Sequence, residues 1–364
     1  MLSIPTESTI SVDWFNQCFA RVGLQGRIAS FTAKQIGTGQ IGKCIRYSFA
    51  FNDGDAENQD VPSSVIGKYP ADDETSRQTG VALQNFLKEV RFYQQLQDRL
   101  QIKTPKCYYA EILDQGPEFF LLLEDLAPGE QGDQLLGCDP TVARAALAEL
   151  VGLHAPSWCD DTLRSLTWLR DEELAQNPAA ASATMEMYRA QLGGFIERFG
   201  PHLADDEQWI VKQVGAVKDS PLSASFPQPF SLIHVDYRLD NLMIDRSSGD
   251  CEITALDWQS ITLGAPMNDV AYFVGAGLEA DIRRPVEEDL VRGYYRDLMN
   301  AGVEDFTWEE CWQNYRRGAF AGFAVTVIAS MIVQRTARGD EMFTTMARRH
   351  ARHALDLNAQ EFLV

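Results

Sequence analysis

SLIHVDYRLDNLMIDRSSGDCEITALDWQ, residues 231–259, decides how the rest of the chain is read. It opens on an apolar entry, Leu232 and Ile233, passes through a polar loop, and then predicts a β-hairpin. The hairpin turns over Arg246-Ser247-Ser248-Gly249-Asp250, between Leu242-Met243-Ile244 and Ile253-Thr254-Ala255-Leu256. Its ends carry the chemistry. His234, Asp236 and Asn241 lead into the first strand, and Asp257 closes the second. A carboxylate facing an incoming hydroxyl, beside an amide oxygen and a second carboxylate, suits Mg²⁺-assisted phosphoryl transfer. Oxygen ligands match that hard cation, and catalysis of this kind is mostly positioning and charge neutralisation.

The spacing is H-x-D-x-x-x-x-N, the catalytic-loop pattern of protein kinases, with Asp257 where the Asp of Asp-Phe-Gly would stand. Two departures point away from protein kinases themselves: Val235 replaces the Arg, and Trp258-Gln259 follow Asp257. No activation segment or Ala-Pro-Glu follows either, because only about a dozen residues separate Asp257 from Asp269. HVDYRLDN, then LDWQ, then GAPMNDVAYF over residues 264–273 resemble the aminoglycoside phosphotransferase superfamily. Its choline-kinase and ecdysteroid-kinase-like branches phosphorylate small-molecule hydroxyls. The resemblance implies an α+β, two-lobed, protein-kinase-like fold. It predicts an N-terminal ATP-binding lobe over 1–126, an antiparallel sheet with one main helix. A larger, mostly helical catalytic and substrate-binding lobe follows over 127–364, with a helical insertion at about 160–225.

The totals agree with such a protein. A chain of 364 residues with 45% apolar content buries large cores. A formal charge of −20 argues against nucleic acid or an anionic membrane as the main partner. Seven dispersed cysteines without a Cys-x-x-Cys read as reduced thiols, not as a disulfide frame or zinc site. The first residues, MLSIPTESTISVDW, lack a basic segment and a long apolar core, so no signal peptide is expected. The longest near-apolar run, 318–333, is too short for a membrane span and predicts a buried helix within 308–333. These readings together predict a cytoplasmic protein.

Taken in order, Ser11 predicts a helix cap before Val12, Trp14, Phe15, Cys18 and Phe19. Gly37, Gly39 and Gly42 then satisfy both G-x-G-x-x-G and, with Lys43, most of a Walker A loop. Both of those motifs require a helix next, yet residues 44–51 alternate and are rich in strand formers. The stretch therefore reads as a turn between strands, either a plain hairpin or a kinase-type flap over phosphates. Lys68 ends the next strand, and a helix over roughly 81–100 carries Glu89 beside its apolar stripe. Glu74 lies in a polar, loop-like run. Residues 119–126, FFLLLEDL, form a continuous apolar strand running into acid, as a buried strand does at a domain edge. The hairpin apart, the C-terminal half predicts helices over 141–153, 181–199, 205–217, 287–299, 308–333 and 341–357.

What the resemblance implies for individual residues follows from the order of the motifs. Asp236 accepts or orients the proton of the substrate hydroxyl. Asn241 and Asp257 hold Mg²⁺, and Lys68, kept straight by Glu89, neutralises phosphate charge. Gly37, Gly39 and Gly42 cover the phosphates, while the main chains of Glu124 and Leu126 bind the adenine edge of ATP. His234 anchors the loop, Asp269 caps a helix and ties to the catalytic loop, and His154 is structural. Arg238 either touches phosphate or substrate or, the simpler reading, is a surface arginine, and the side chains of Glu124 and Asp125 need have no role. The expected function is transfer of the γ-phosphate of ATP to a small-molecule hydroxyl, with a catalytically inactive nucleotide-binding or scaffolding protein as the alternative. Acceptors of the aminoglycoside, choline or steroid-alcohol kind remain open, with a slight lean to the ecdysteroid-kinase-like branch.

Overall fold

The structure, a computed structural model, describes residues 2–37, 41–52, 60–169, 183–217 and 228–363. The chain divides into two compact units: Met1–Asp98 with Thr104–Ala127, and Arg99–Lys103 with Pro128–Val364.

In the first unit, helix α1 (Val12–Arg21) begins where Ser11 caps it, its Oγ accepting from the Trp14 N–H at 3.2 Å. Five antiparallel strands follow: β1 (Ile28–Ile36), β2 (Gly42–Phe51), β3 (Ser64–Pro70), β4 (Cys107–Ile112) and β5 (Phe119–Glu124). Their spatial order is β1-β2-β3-β5-β4. The core is aromatic. Phe15 of α1 meets Tyr47 and Phe49 of β2 edge-on, at centroid distances of 5.1 and 4.9 Å. Between β3 and β4 lie α2 (Glu74–Ala82) and α3 (Asn85–Gln95). The single helix expected over 81–100 is thus two, separated by Gln84 in a left-handed conformation (φ 56°). The run containing Glu74 is helical, not a loop. Asp73 caps it, and Glu74 sits exposed in its first turn, paired with Arg77. Its polar residues and Gly80 hid the helix because α2 has little apolar stripe to read.

The second unit is mostly helical. Asp139 caps α4 (Pro140–His154), and α5 (Ala183–Phe199) and α6 (Asp205–Ala216) occupy the insertion. Strand β6 (Glu130–Gln131) pairs with β8 (Leu242–Asp245), which pairs with β9 (Glu252–Ala255) to give the expected hairpin. Strand β7 (Ser231–Ile233) pairs instead with β10 (Thr262–Gly264). Then come α7 (Pro266–Gly277), buried along nearly its whole length, α8 (Glu287–Asn300), α9 (Trp308–Gly318) and α10 (Ala337–Asp356). The helix expected over 308–333 is broken: α9 stops at Gly318, and residues 324–329 form a π-turn segment. Among the described residues no helix is long and apolar enough to cross a membrane.

Candidate active site

The elements of the second unit bring Asp236, Asn241, His234 and Asp269 into one hydrogen-bonded assembly, with Asp257 next in sequence to Leu256, whose N–H and carbonyl belong to it. The ladder between β8 and β9 pairs Leu242 with Ala255, and just beyond it the Leu256 N–H donates to the Asn241 carbonyl at 2.9 Å. Asn241 therefore stands across from the residue before Asp257, at one end of the hairpin. Asn241 Nδ2 donates to the Asp236 backbone carbonyl (2.8 Å) and to Asp236 Oδ2 (3.0 Å). Both bonds use the amide nitrogen, which assigns the oxygen, the atom able to ligate a cation, to the amide's other edge. Asp257 is itself left-handed (φ 64°), and its Oδ2 accepts from Gln259 Nε2 at 3.1 Å.

The loop between β7 and β8 has little regular structure of its own, and side chains hold it. Asp269 lies in the first turn of α7, but the cap of that helix is Ala265. The expectation that Asp269 caps a helix is corrected here, because its carboxylate takes backbone N–H groups of the loop instead. Oδ2 accepts from His234 N at 2.6 Å and Oδ1 from Val235 N at 2.9 Å. His154 Nε2 stands 3.4 Å from Oδ2, and His154 Nδ1 meets the Tyr294 hydroxyl at 2.7 Å. His154 is thus a buried, polar-partnered support. His234 Nε2 meets the Leu256 carbonyl at 2.8 Å, tying the loop to the residue before Asp257. Val235 is left-handed with φ 73°, a strained conformation for a β-branched residue, and its bonded N–H helps to keep it there.

Three contributors were not legible in the sequence. Arg238 is not a surface arginine. Its Nε donates to Asp236 Oδ1 at 3.0 Å and its Nη1 to Asp240 Oδ2 at 2.7 Å, with the side chain largely buried. The Tyr272 hydroxyl reaches the same Asp236 Oδ1 at 2.7 Å. Gln134, fully buried, accepts from Leu239 N at 3.0 Å and donates to the Ala276 carbonyl at 2.7 Å, linking the loop to the end of α7. The (i, i+3) spacing of Asp269 and Tyr272 on one helix was the one available signal. A lone glutamine in a connecting segment offers none.

In the first unit, Lys68 of β3 pairs with Glu89 of α3 at 2.7 Å, with Glu89 2% exposed. Gly42 begins β2 beside them, and a Cβ there would stand 3.0 Å from Lys68 Cε. Gly37, at the end of β1, is left-handed with φ 70°, and Gly39 lies outside the described residues. At the end of β5 the Glu124 N–H donates to the Lys106 carbonyl at 2.8 Å. Leu126 follows beyond the strand. The Asp125 side chain, expected to be idle, is buried against Arg46 and Ser64, which it accepts at 3.0 and 2.7 Å.

The donor chemistry fits Mg²⁺ and a nucleotide. Asn241 Oδ1 and the Asp257 carboxylate are hard oxygen donors able to hold that cation, and the Lys68 ammonium of the first unit is able to balance phosphate charge. Among the described residues no group of three or more His, Cys, Asp or Glu is placed to hold a metal. A Mg²⁺ that takes its remaining ligands from phosphates and water needs no such group.

The fold is that of kinase-like phosphotransferases. It is similar to the choline kinase of Cryptosporidium parvum Iowa II, with a TM-score of 0.54 and 11% identity over 90% of this chain and 89% of that one. It is also similar to aminoglycoside 2'-phosphotransferase-IIIa in its GDP complex, with a TM-score of 0.50 and 13% identity over 93% and 98%. At these identities the likeness is one of fold alone. The family model over residues 39–303 then identifies the chain: it belongs to the ecdysteroid kinase-like family. No curated protein matches its sequence.

Proposed function

We propose that the protein transfers the γ-phosphate of ATP, with Mg²⁺, to a hydroxyl of a small molecule in the cytoplasm. The observation that carries this reading is the bonding of Asp236 to Asn241 at the end of the hairpin that Asp257 closes. Asp236 receives or orients the proton of the acceptor hydroxyl from about 3 Å. Alignment counts for more than base strength, because the transition state is loose. Asn241 Oδ1 and Asp257 would hold the metal, which neutralises phosphate charge when bound. Lys68, steadied by Glu89, balances phosphate charge in the first unit, with the backbones of Gly37, Gly39 and Gly42 covering the phosphates. The Glu124 carbonyl and the Leu126 main chain would meet the adenine edge. Among the described residues no disulfide joins any of the seven cysteines, which suits a reducing compartment. Family membership favours a steroid-type alcohol as acceptor over an aminoglycoside or choline.

The test is ADP release from Mg-ATP across aminoglycosides, choline, methylthioribose, homoserine and steroid alcohols, with Asp236→Ala beside the wild type. Acceptor-dependent release that falls by several orders of magnitude in the variant is the expected outcome. ATP binding without turnover on any acceptor would favour a nucleotide-binding scaffold, and failure to bind Mg-ATP at all would refute the reading.

A further inference from the structure

Helix α7 sends two side chains to three consecutive residues of the loop. Asp269 accepts the backbone N–H groups of His234 and Val235, and Tyr272, three residues on, reaches the carboxylate of Asp236. The loop backbone and its central side chain are therefore fixed from one helix face.

The occupancy of the two carboxylate oxygens is unequal. Oδ1 has two donors, Tyr272 Oη at 2.7 Å and Arg238 Nε at 3.0 Å, whereas Oδ2 has Asn241 Nδ2 at 3.0 Å. A carboxylate oxygen offers about two lone-pair directions. Oδ1 is saturated and Oδ2 has one direction left. Tyr272 is itself held. Its ring stacks on His350 of α10 at 5.2 Å and 25°. His350 is fully buried, and neither ring nitrogen has a hydrogen-bond partner among the described residues. Gly322 lies so close to the other part of that ring that a Cβ would overlap it. Burial, then neighbouring His353 and Arg349, push the His350 pKa down to about 3, so it serves as a neutral aromatic wall. Burial, then the Asp236 charge, hold the Tyr272 phenol well above its ordinary range, so it stays a donor.

We propose that Tyr272 is a positioning residue that, with Arg238, occupies Oδ1 of Asp236 and so assigns Oδ2 as the oxygen that meets the acceptor hydroxyl. The proposal rests on the phosphotransferase reading of Asp236. Once the hydroxyl oxygen bonds to phosphorus, its proton passes to Oδ2, and ADP leaves with the electron pair of the broken P–O bond. Without the Tyr272 hydroxyl the carboxylate can rotate about its Cβ–Cγ bond and share both oxygens among its donors, which spoils the alignment of the attack.

The experiment compares the full-length wild type with Tyr272→Phe, which keeps the ring against His350 and removes one oxygen. The expected result is a kcat lower by about 10- to 100-fold, with the KM for Mg-ATP within about twofold of wild type. A purely structural role would lower the amount of active enzyme without that split, so active-site titration with a tight nucleotide accompanies the rates. A wild-type kcat in Tyr272→Phe overturns the clamp while leaving the phosphotransferase reading intact. If the wild type turns over no acceptor, that reading fails, and a thermal double-mutant cycle of Tyr272→Phe with Asp236→Asn decides the clamp. Additive Tm shifts would then overturn it, and non-additive shifts would uphold the hold on the carboxylate.

Discussion

Two charged sites sit in the two units, and they are built differently. The Lys68–Glu89 pair of the first unit joins two regular elements, a strand and a helix, whose own backbone ladders position the side chains. The Asp236 assembly of the second unit sits in a loop with almost no ladder. Its backbone is held by the carboxylate of Asp269, by Gln134 and by His234, and its shape includes left-handed Val235 and Asp257. Regular structure places a side chain through hydrogen bonds that any sequence can make. An irregular loop depends on particular residues elsewhere in the chain.

That contrast orders the outcomes of substitution. Asp269→Ala leaves one buried and one partly buried N–H group without acceptors, and it is expected to destabilise the second unit by about 3–5 kcal/mol in denaturant titration. Glu89→Gln keeps a hydrogen-bonding group for Lys68 and should cost about 2 kcal/mol in the first unit, with a larger loss in Mg-ATP affinity. An equal or greater loss of stability than Asp269→Ala shows would break the comparison.

Acid should sharpen it. The folded pKa of His350 is about 3 against 6.5 for an ordinary histidine, so the unfolded chain binds the proton first. Stability is then complete above about pH 6.5 and declines as the pH falls toward 3, by about 2 kcal/mol at pH 5. His353, also depressed by burial, acts in the same direction. His350→Leu should flatten the fall in Tm between pH 7 and 5, and an unchanged slope would assign the sensitivity elsewhere. The smallest effect is expected at Gly42→Ala. The added methyl meets Lys68 Cε at 3.0 Å and the Tyr69 carbonyl at 3.3 Å, so stability should fall by about 1 kcal/mol while the Mg-ATP KM rises several-fold.

Legibility in the sequence followed the same division. Alternation found β2, β3 and the hairpin, and the cap at Ser11 found α1, because these features have a period or a local partner. The fold class, the strand lysine, the helical glutamate and the loop carboxylate were therefore readable. Helix breaks were not: Gln84 divides α2 from α3 between two stretches with apolar residues, and Gly318 ends α9 just where a near-apolar run begins. The partners of Asp236 were hidden for a different reason. Tyr272 and Arg238 resemble an ordinary core tyrosine and an ordinary surface arginine until folding shows what they touch. The pairing of Asp125 with Arg46 was hidden likewise, since it spans 79 residues of sequence.

The left-handed Val235 has a consequence for how the chain is made. Such a conformation costs about 1–3 kcal/mol, and the carboxylate that holds its N–H arrives 34 residues later in the sequence. During synthesis the loop around Val235 leaves the ribosome before the helix that shapes it, and long before the histidine that backs Tyr272. The 20-residue helix α10 thus backs a loop made more than a hundred residues earlier, so a nascent chain completes the hold on that loop only after this helix has emerged.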